Sequence, residues 1–262
     1  MNLSHVERYF ADFLSIMESH DKIKLYSGEE RDGLSNEISW PQNLFIIGTV
    51  NIDETTYMFS PKVLDRANVL EFRVTETEIQ DYLANPVSVK MEEFINQQNK
   101  QGFGAPMAAN YLKIAKESVM SSINTRENLL LFFKELKKAG AEFGYRSVSE
   151  INRLIAILDT LTKDSKKWDD SDINNDEFID IAIMQKLLPK LHGSRNKLTK
   201  VLPVLGGLCL TDSTTIKEKY FEKPDSINFA DDRNIKYKVS FEKICRMYKN
   251  AVENGFASYA EA

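Results

Sequence analysis

The sequence predicts a mostly helical α/β protein, with its α/β part in residues 1–75 and helices in most of residues 76–262. Short apolar runs rich in strand formers occupy residues 44–47 and 69–74. Runs of this kind, bounded by turn residues, are typical of buried strands in a parallel sheet. From residue 108 onward, apolar side chains recur at helical spacing. The 262 residues, 42% of them hydrophobic and 28% charged, suit one large or two small globular domains.

The first elements are a helix and a hairpin. Residues 3–18 carry apolar side chains at helical spacing with charges between them. Residues 22–26 alternate polar and apolar, as a half-exposed strand does, and a turn-rich stretch then leads to a returning strand near residues 38–40. The hairpin is either a plain structural element or a surface that meets a partner.

Asn51 is the first candidate site residue, because it lies just beyond the apolar run of residues 44–47 and the turn at Gly48. Ligands of open α/β sheets bind outside the carboxyl ends of the strands. Asp53 and Glu54 add negative charge to the same loop. An Asn at this point also fits a simple turn.

A short helix should come next, opened by Ser60-Pro61 as N-cap and first helical residue. It carries Asp65-Arg66 and precedes the second apolar run, at residues 69–74. Arg66 can also form a surface pair with its neighbour Asp65.

These stretches resemble the second half of an AAA+ nucleotide-hydrolysing domain of the McrB type. In that family a strand ends in Gly-Thr-x-Asn, and the Asn orients the attacking water, a role that falls on Asn51. The following short helix carries an arginine finger that reaches the neighbouring subunit's site, and this falls on Arg66. Residues 1–10 resemble the segment just after the Walker B acidic pair. The resemblance thus implies an incomplete P-loop core, since no Gly-x-x-x-x-Gly-Lys-Ser/Thr phosphate loop is present.

The rest of the sequence predicts an α-helical lid over residues 76–210 and a C-terminal extension over residues 211–262. The predicted helices begin with residues 75–83, capped at Thr75, and continue with 127–138, 146–161, 178–191, 198–210 and 241–255. The polar stretch 85–107 is an insertion of unassigned role. Pro189 should bend or end its helix. A short strand is expected at residues 235–239.

Two lid arginines are candidate nucleotide-binding residues. Arg146 lies at a predicted helix start beside Gly144, which resembles the "sensor 2" position, where a basic residue meets the nucleotide's phosphates. Arg195 is the rival for that role. Arg146 can instead stack on Tyr145 or pair with Glu150.

Composition excludes several classes of function. A net charge of −5 argues against a surface that binds nucleic acid all over. No apolar run approaches the roughly 20 residues of a membrane span, and the N-terminus lacks a secretory pattern. Cys209 and Cys245 fit free thiols in a reducing cytoplasm, and no metal site is expected.

The resemblance implies part of a motor subunit of a modification-dependent DNA restriction system, inactive by itself. The intact protein would form a homo-oligomeric ring, use ATP or GTP with Mg²⁺, and act with DNA and a McrC-like endonuclease subunit. No cofactor is expected for this chain alone. Residues 52–56 lack the Arg that better-known McrB members carry there, so the nucleotide stays open between ATP and GTP. The alternative is a non-catalytic protein- or DNA-interaction module derived from such a domain.

Overall fold

The computed structural model describes residues 5–19, 21–28, 33–41, 44–50, 59–86, 109, 113, 123–164, 175–212 and 218–262. The described chain is mostly helical and contains two small two-stranded antiparallel sheets. The predicted mostly helical character is therefore confirmed. Asn51, Asp53 and Glu54 lie outside the described residues, as does nearly all of the 85–107 insertion.

The N-terminal elements are short. They are α1 (Val6–Tyr9), α2 (Ala11–Ser19), β1 (Lys22–Lys24), β2 (Glu37–Ser39), α3 (Pro61–Leu64) and α4 (Glu76–Ala84). β1 and β2 pair antiparallel with Ile23 opposite Ile38, which confirms the predicted hairpin. Ser60 is extended before α3 and Pro61 is its first residue, as expected. Val6, Leu14 and Val63 form a small apolar cluster that joins α1, α2 and α3.

By packing, the chain divides into two units, one made of Met1–Val69 with Met120–Ala262 and the other of Leu70–Val119. The second unit contains α4, which opens with a capping box. The Thr75 hydroxyl accepts from the Glu78 N–H at 3.2 Å, and the Glu78 carboxylate accepts from the Thr75 N–H at 2.7 Å. The Thr75 N–H and the Thr75 hydroxyl both donate to the Glu78 carboxylate, and these two bonds hold the pKa of Glu78 below its usual value. The predicted cap at Thr75 is confirmed.

The two predicted parallel strands are absent: residues 44–47 and 69–74 belong to no helix or strand. Ile47 and Phe72 each have 92% of their surface exposed, so these runs are not buried either. A parallel strand is stable only when neighbouring strands pair with its backbone and helices cover its faces. The described residues supply no such neighbours, which explains why the prediction of buried strands is wrong.

The C-terminal helices enclose the main core. They are α5 (Arg126–Lys138), α6 (Tyr145–Asp164), α7 (Asn175–Ala182), α8 (Arg195–Leu208), α9 (Glu218–Glu222) and α10 (Lys238–Asn254), with β3 (His192–Ser194) paired to β4 (Phe256–Ser258). Leu136, Ile151, Leu202 and Phe241 are fully buried members of this core. The amphipathic spacing that predicted these helices thus corresponds to a real buried face.

The predicted end of α5 at Lys138 is confirmed, whereas the predicted strand at residues 235–239 is not. Gly140, at φ +64°, comes after α5 in the left-handed conformation that glycine favours. The apolar face of α5 buries Phe132 and leaves Leu130 about half exposed. Residues 235–239 form no strand, because α10 begins at Lys238 and only Ile235 makes a bridge, to Leu210.

Pro189 ends the α-helical geometry after α7. The chain continues as a π-helical turn, Ile183–Leu187, and then as a 3₁₀ turn, Leu188–Lys190. Proline has no N–H, so the Gln185 carbonyl four residues earlier cannot be paired as in an α-helix. That carbonyl instead accepts the Val69 N–H at 3.3 Å. The predicted break at Pro189 is confirmed. The hydrogen bond between Val69 and Gln185 attaches the turn after α7 to the segment after α3.

Asp180 fixes the start of α10 from the neighbouring helix. Its buried carboxylate accepts the Val239 N–H at 2.8 Å and the Ser240 N–H at 2.9 Å, two of the N–H groups that a helix start leaves unpaired. Burial raises the pKa of Asp180, and the bonds from residues 239 and 240 partly oppose that rise.

Candidate functional site

Two arginines from distant parts of the sequence converge on one carboxylate. Glu18 lies in the last turn of α2, Arg66 comes shortly after α3, and Arg146 is the second residue of α6. Nη2 of Arg66 pairs with one oxygen of Glu18, and Nη2 of Arg146 pairs with the other. These three side chains come from α2, from the turn after α3, and from α6. We call them the Glu18 cluster.

Arg66 is also anchored to main-chain carbonyls. Its Nε donates to the Leu14 carbonyl at 2.9 Å, and its Nη1 donates to the Lys62 carbonyl at 2.7 Å. All three guanidinium nitrogens therefore have acceptors within this chain. Only 15% of the side chain is exposed. Arg66 thus ties α2 to the turn after α3.

The charge of Glu18 depends on these arginines. The hydrogen bond from Arg146 is the largest cause that holds the pKa of Glu18 below its usual value, and the charges of Arg146 and Arg66 add to it, while desolvation acts in the opposite direction. The carboxylate, which is ionised at neutral pH even at its usual pKa, therefore stays ionised to lower pH. The end of a helix disfavours an anion, because the carbonyl ends of the peptide dipoles point there. The arginines, rather than α2 itself, favour this position for Glu18.

Lys186 holds the backbone on both sides of Arg66. Lys186 Nζ, in the π-helical turn, donates to the Ala67 carbonyl at 3.0 Å and lies 3.4 Å from the Asp65 carbonyl, and it pairs with Glu150 of α6. The Lys186 side chain is only 1% exposed. Because buried charges are rarely tolerated without partners, these contacts are what permit a lysine here.

Lys190 strengthens the same attachment from one turn further along. Its Nζ pairs with the Asp65 carboxylate and donates to the Ser147 hydroxyl at 3.2 Å. Ser147 is itself buried, immediately after Arg146. α6 and the turns after α7 therefore hold the segment that carries Arg66, and Arg66 and Arg146 reach the same carboxylate.

The predicted site residues fall in three places. Arg66 and Arg146 are brought together, and Asn51 lies outside the described residues. Arg195 opens α8, where its N–H donates to the Gly255 carbonyl at 2.8 Å. Its side chain lines an open cleft of about 410 Å³, beside Tyr248 and Glu253. The described contacts of Arg195 share no residue with the Glu18 cluster.

A family model described as a domain of unknown function, DUF8727, matches residues 99–256. The match covers more than half of the chain. The chain belongs to the DUF8727 family. No curated protein and no solved structure matched the chain. The DUF8727 segment contains Arg146, Lys186 and Lys190, whereas Glu18 and Arg66 precede it.

The sequence did not single out Glu18, Lys186 or Lys190, although two signals were available. Glu18 is an acidic residue in the last turn of α2, a turn without a basic residue. Lys186 falls between Ile183 and Leu187 on the apolar face of its predicted helix, where a lysine needs a buried partner. Each feature indicates a charged side chain whose partner lies far away in the sequence.

Other chemistry is sparse among the residues that the structure describes. Among the described residues, no group of three or more His, Cys, Asp or Glu is placed to hold a metal ion. Cys209 and Cys245 are buried free thiols, and burial raises the pKa of Cys209. Within the described part of the chain, no helix is both long and apolar enough to cross a lipid bilayer.

Proposed function

We propose that the chain is part of a McrB-type AAA+ motor subunit in a modification-dependent DNA restriction system, unable to hydrolyse a nucleotide by itself. The observation that carries the proposal is the convergence of Arg66 and Arg146 on one anionic group. These are the two residues for which the resemblance implies contact with the terminal phosphates. A carboxylate oxygen occupies the kind of position that a phosphate oxygen would take.

Phosphoryl transfer explains why an arginine would be needed at each of these two phosphate contacts. The transferred group develops its charge over several oxygens, so catalysis depends on fixed cations and correct positions rather than on covalent chemistry. A guanidinium is planar, permanently charged and suited to phosphate oxygens. Lys186 and Lys190 would keep the Arg66 segment in place while the nucleotide changes.

In the intact protein, ATP or GTP would bind with Mg²⁺ between subunits of a homo-oligomeric ring. Asn51 would orient the attacking water, Arg66 would act on the neighbouring subunit's nucleotide, and Arg146 would contact the phosphates of its own subunit. Arg195 is the weaker candidate, because it lies in a separate cleft. DNA and a McrC-like endonuclease subunit would be the partners.

The test begins with the DNA upstream of the Met1 codon. An open frame that encodes Gly-x-x-x-x-Gly-Lys-Ser/Thr and a strand ending in Asp-Glu is the expected result. The extended protein should then hydrolyse ATP or GTP, and the present chain should not. Arg66→Ala and Arg146→Ala in the extended protein should each lower kcat by about 10³-fold or more, the usual contribution of an arginine at a phosphoryl group.

Arg126→Ala serves as the matched control, since it removes the same kind of side chain from an exposed position at the start of α5 and should leave kcat within about two-fold. Unchanged hydrolysis in Arg66→Ala and Arg146→Ala would contradict the proposed roles. A stop codon directly upstream of Met1 would contradict the motor and favour the alternative of an interaction module.

The exposed apolar run at residues 44–47 favours that alternative, a non-catalytic module that binds another protein. Phe45 and Ile47 are 58% and 92% exposed, and exposed apolar surface in a folded protein often marks a binding site. A purified chain that stays monomeric and whose Phe45→Glu variant behaves identically would remove this support.

A further inference from the structure

The Glu18 cluster contains an anion that can be exchanged. The Glu18 side chain is 48% exposed and the Arg146 side chain is 32% exposed, so solvent reaches the contact between them. Each arginine uses a single nitrogen on Glu18. Ion pairs this exposed contribute little to stability, because water solvates the separated charges well. The cost of separating Glu18 from Arg146 is therefore small.

Arg146 has most of its donor capacity unused. A guanidinium carries five N–H donors, and within the described part of the chain the hydrogen-bond partner of Arg146 is Glu18. Arg66 is different, because its Nε and Nη1 remain bound to the carbonyls of Leu14 and Lys62 whatever happens to Glu18. The cluster thus combines one fixed arginine with one arginine that has donors to spare.

A phosphate group fits this pair better than a carboxylate does. It carries up to two negative charges and three or more acceptor oxygens, and its geometry suits two-pronged contacts with arginine. Glu18 brings one charge, and its position at the end of α2 places it against the helix dipole. A competing phosphate would not carry that disadvantage.

We propose that Glu18 is an internal, exchangeable ligand of an oxyanion site formed by Arg66 and Arg146, and that a phosphate group displaces it. Displacement would release α2 from α6, since Glu18 is the link to Arg146, while Arg66 would keep α2 attached to the turn after α3. Glu18 would then act as a built-in competitor that holds the site closed until a phosphate arrives. This regulation rests on the proposed function for the choice of phosphate, and it applies to the free subunit, in which Arg66 has no neighbouring subunit's nucleotide to contact.

The experiment is a calorimetric titration of the full chain with inorganic phosphate, with NaCl adjusted to keep ionic strength constant. Glu18→Gln removes the competing charge and keeps the side-chain shape. We expect it to bind phosphate about 5- to 10-fold more tightly than the unmodified chain, because a site blocked most of the time loses apparent affinity in proportion. Adding Arg146→Gln to Glu18→Gln should abolish the gain.

Glu135→Gln is the matched control, since Glu135 pairs with Lys138 on the surface of α5, outside the Glu18 cluster. It should bind phosphate as the unmodified chain does. Arg146→Lys in the Glu18→Gln chain keeps the charge and should retain part of the gain, which guards against a variant that fails to fold. Circular dichroism verifies that each variant is folded.

Equal phosphate affinity in Glu18→Gln and the unmodified chain would overturn the proposal, as would a gain that survives Arg146→Gln. Either result would leave the proposed motor function standing if hydrolysis by the extended protein still needed Arg66 and Arg146. Conversely, the expected phosphate titration with no effect of Arg66→Ala or Arg146→Ala on hydrolysis would support the exchange and contradict the motor roles.

Discussion

The C-terminal helical region, residues 126–262, and the N-terminal segment, residues 5–69, use similar apolar residues with different results. The helical region buries a large continuous core that includes Leu202 and Phe241. The N-terminal segment buries a small cluster around Leu14 and leaves residues 44–47 largely exposed. Its attachment to the helical region includes charged side chains, through Glu18, Lys186 and Lys190.

The difference arises from how helices and strands pair the N–H and C=O groups of their backbones. A helix pairs its N–H and C=O groups internally, so an amphipathic helix needs only an apolar surface to pack against. A strand must find another strand's edge before its backbone is satisfied. Apolar character alone therefore buries α8 but does not bury residues 44–47.

The largest expected effect on stability comes from a Leu→Ala substitution in the main core. The same substitution in the N-terminal cluster gives the comparison. Leu202→Ala should lower the free energy of unfolding by about 2–5 kcal/mol, because it opens a cavity in a core that cannot collapse around it. Leu14→Ala, in the small cluster, should cost about 2 kcal/mol, at the lower end of that range, since the few neighbours around it can adjust more readily. Urea unfolding of both variants measures this. Equal losses would mean that the two regions are equally well packed.

Asp180→Ala should give the next largest effect, about 1–3 kcal/mol, because it leaves the Val239 and Ser240 N–H groups at the start of α10 without their acceptor. The control is Asp225→Ala, which removes a carboxylate that is 74% exposed and paired with Lys249. It should change stability by no more than about 0.5 kcal/mol. A similar loss in both variants would show that Asp180 contributes only as an ordinary surface charge.

The two regions should also respond oppositely to acid. The folded-state pKa of Glu18 is lowered, so its stabilising contribution is complete above the unfolded value of 4.5 and is lost as pH falls through the folded value. The stability difference between the unmodified chain and Glu18→Gln should therefore close below pH 4.5 in urea titrations. A difference that is constant from pH 7 to pH 3 would contradict the ion pairs.

Asp180 has the opposite sign. Its folded-state pKa is raised above 3.8 by burial, so its ionised form disfavours the folded state above that folded value. As pH falls through the folded value, the unmodified chain should gain stability relative to Asp180→Asn. A relative loss over that window would mean that the bonds from residues 239 and 240 outweigh burial.

The smallest effect on stability is expected at the exposed run. Phe45→Glu and Ile47→Glu should change the free energy of unfolding by no more than about 0.5 kcal/mol, since neither side chain is buried. They should reduce concentration-dependent association, measured by light scattering, because exposed apolar patches associate. Leu130→Glu, at a half-exposed position of α5, is the control and should leave association unchanged. Equal association in all chains would contradict a role for residues 44–47.

The sequence predicted the features that depend on neighbours along the chain. The cap at Thr75, the helix start at Ser60-Pro61 and the break at Pro189 each result from local geometry. Features that depend on distant partners were missed: the apolar runs at residues 44–47 and 69–74 were expected in a sheet that the described chain does not form.

The candidate site shows the same limit. Arg66 and Arg146 were identified through a family resemblance, but their common partner Glu18 was not, because it lies far from both in sequence. Lys186 was overlooked because its acceptors, the carbonyls of residues 65 and 67, are main-chain atoms that no side-chain pattern reveals.

Hydrogen exchange of the full chain, followed by mass spectrometry, tests the contrast between the two regions most directly. Amides of α8 and α10 should be protected to the level of global unfolding, because their hydrogen bonds lie in the main core. Amides of residues 45–47 should exchange within seconds, at rates close to those of an unstructured peptide. Protection of residues 45–47 equal to that of α8 would mean that this run is paired in a sheet, and would contradict the account.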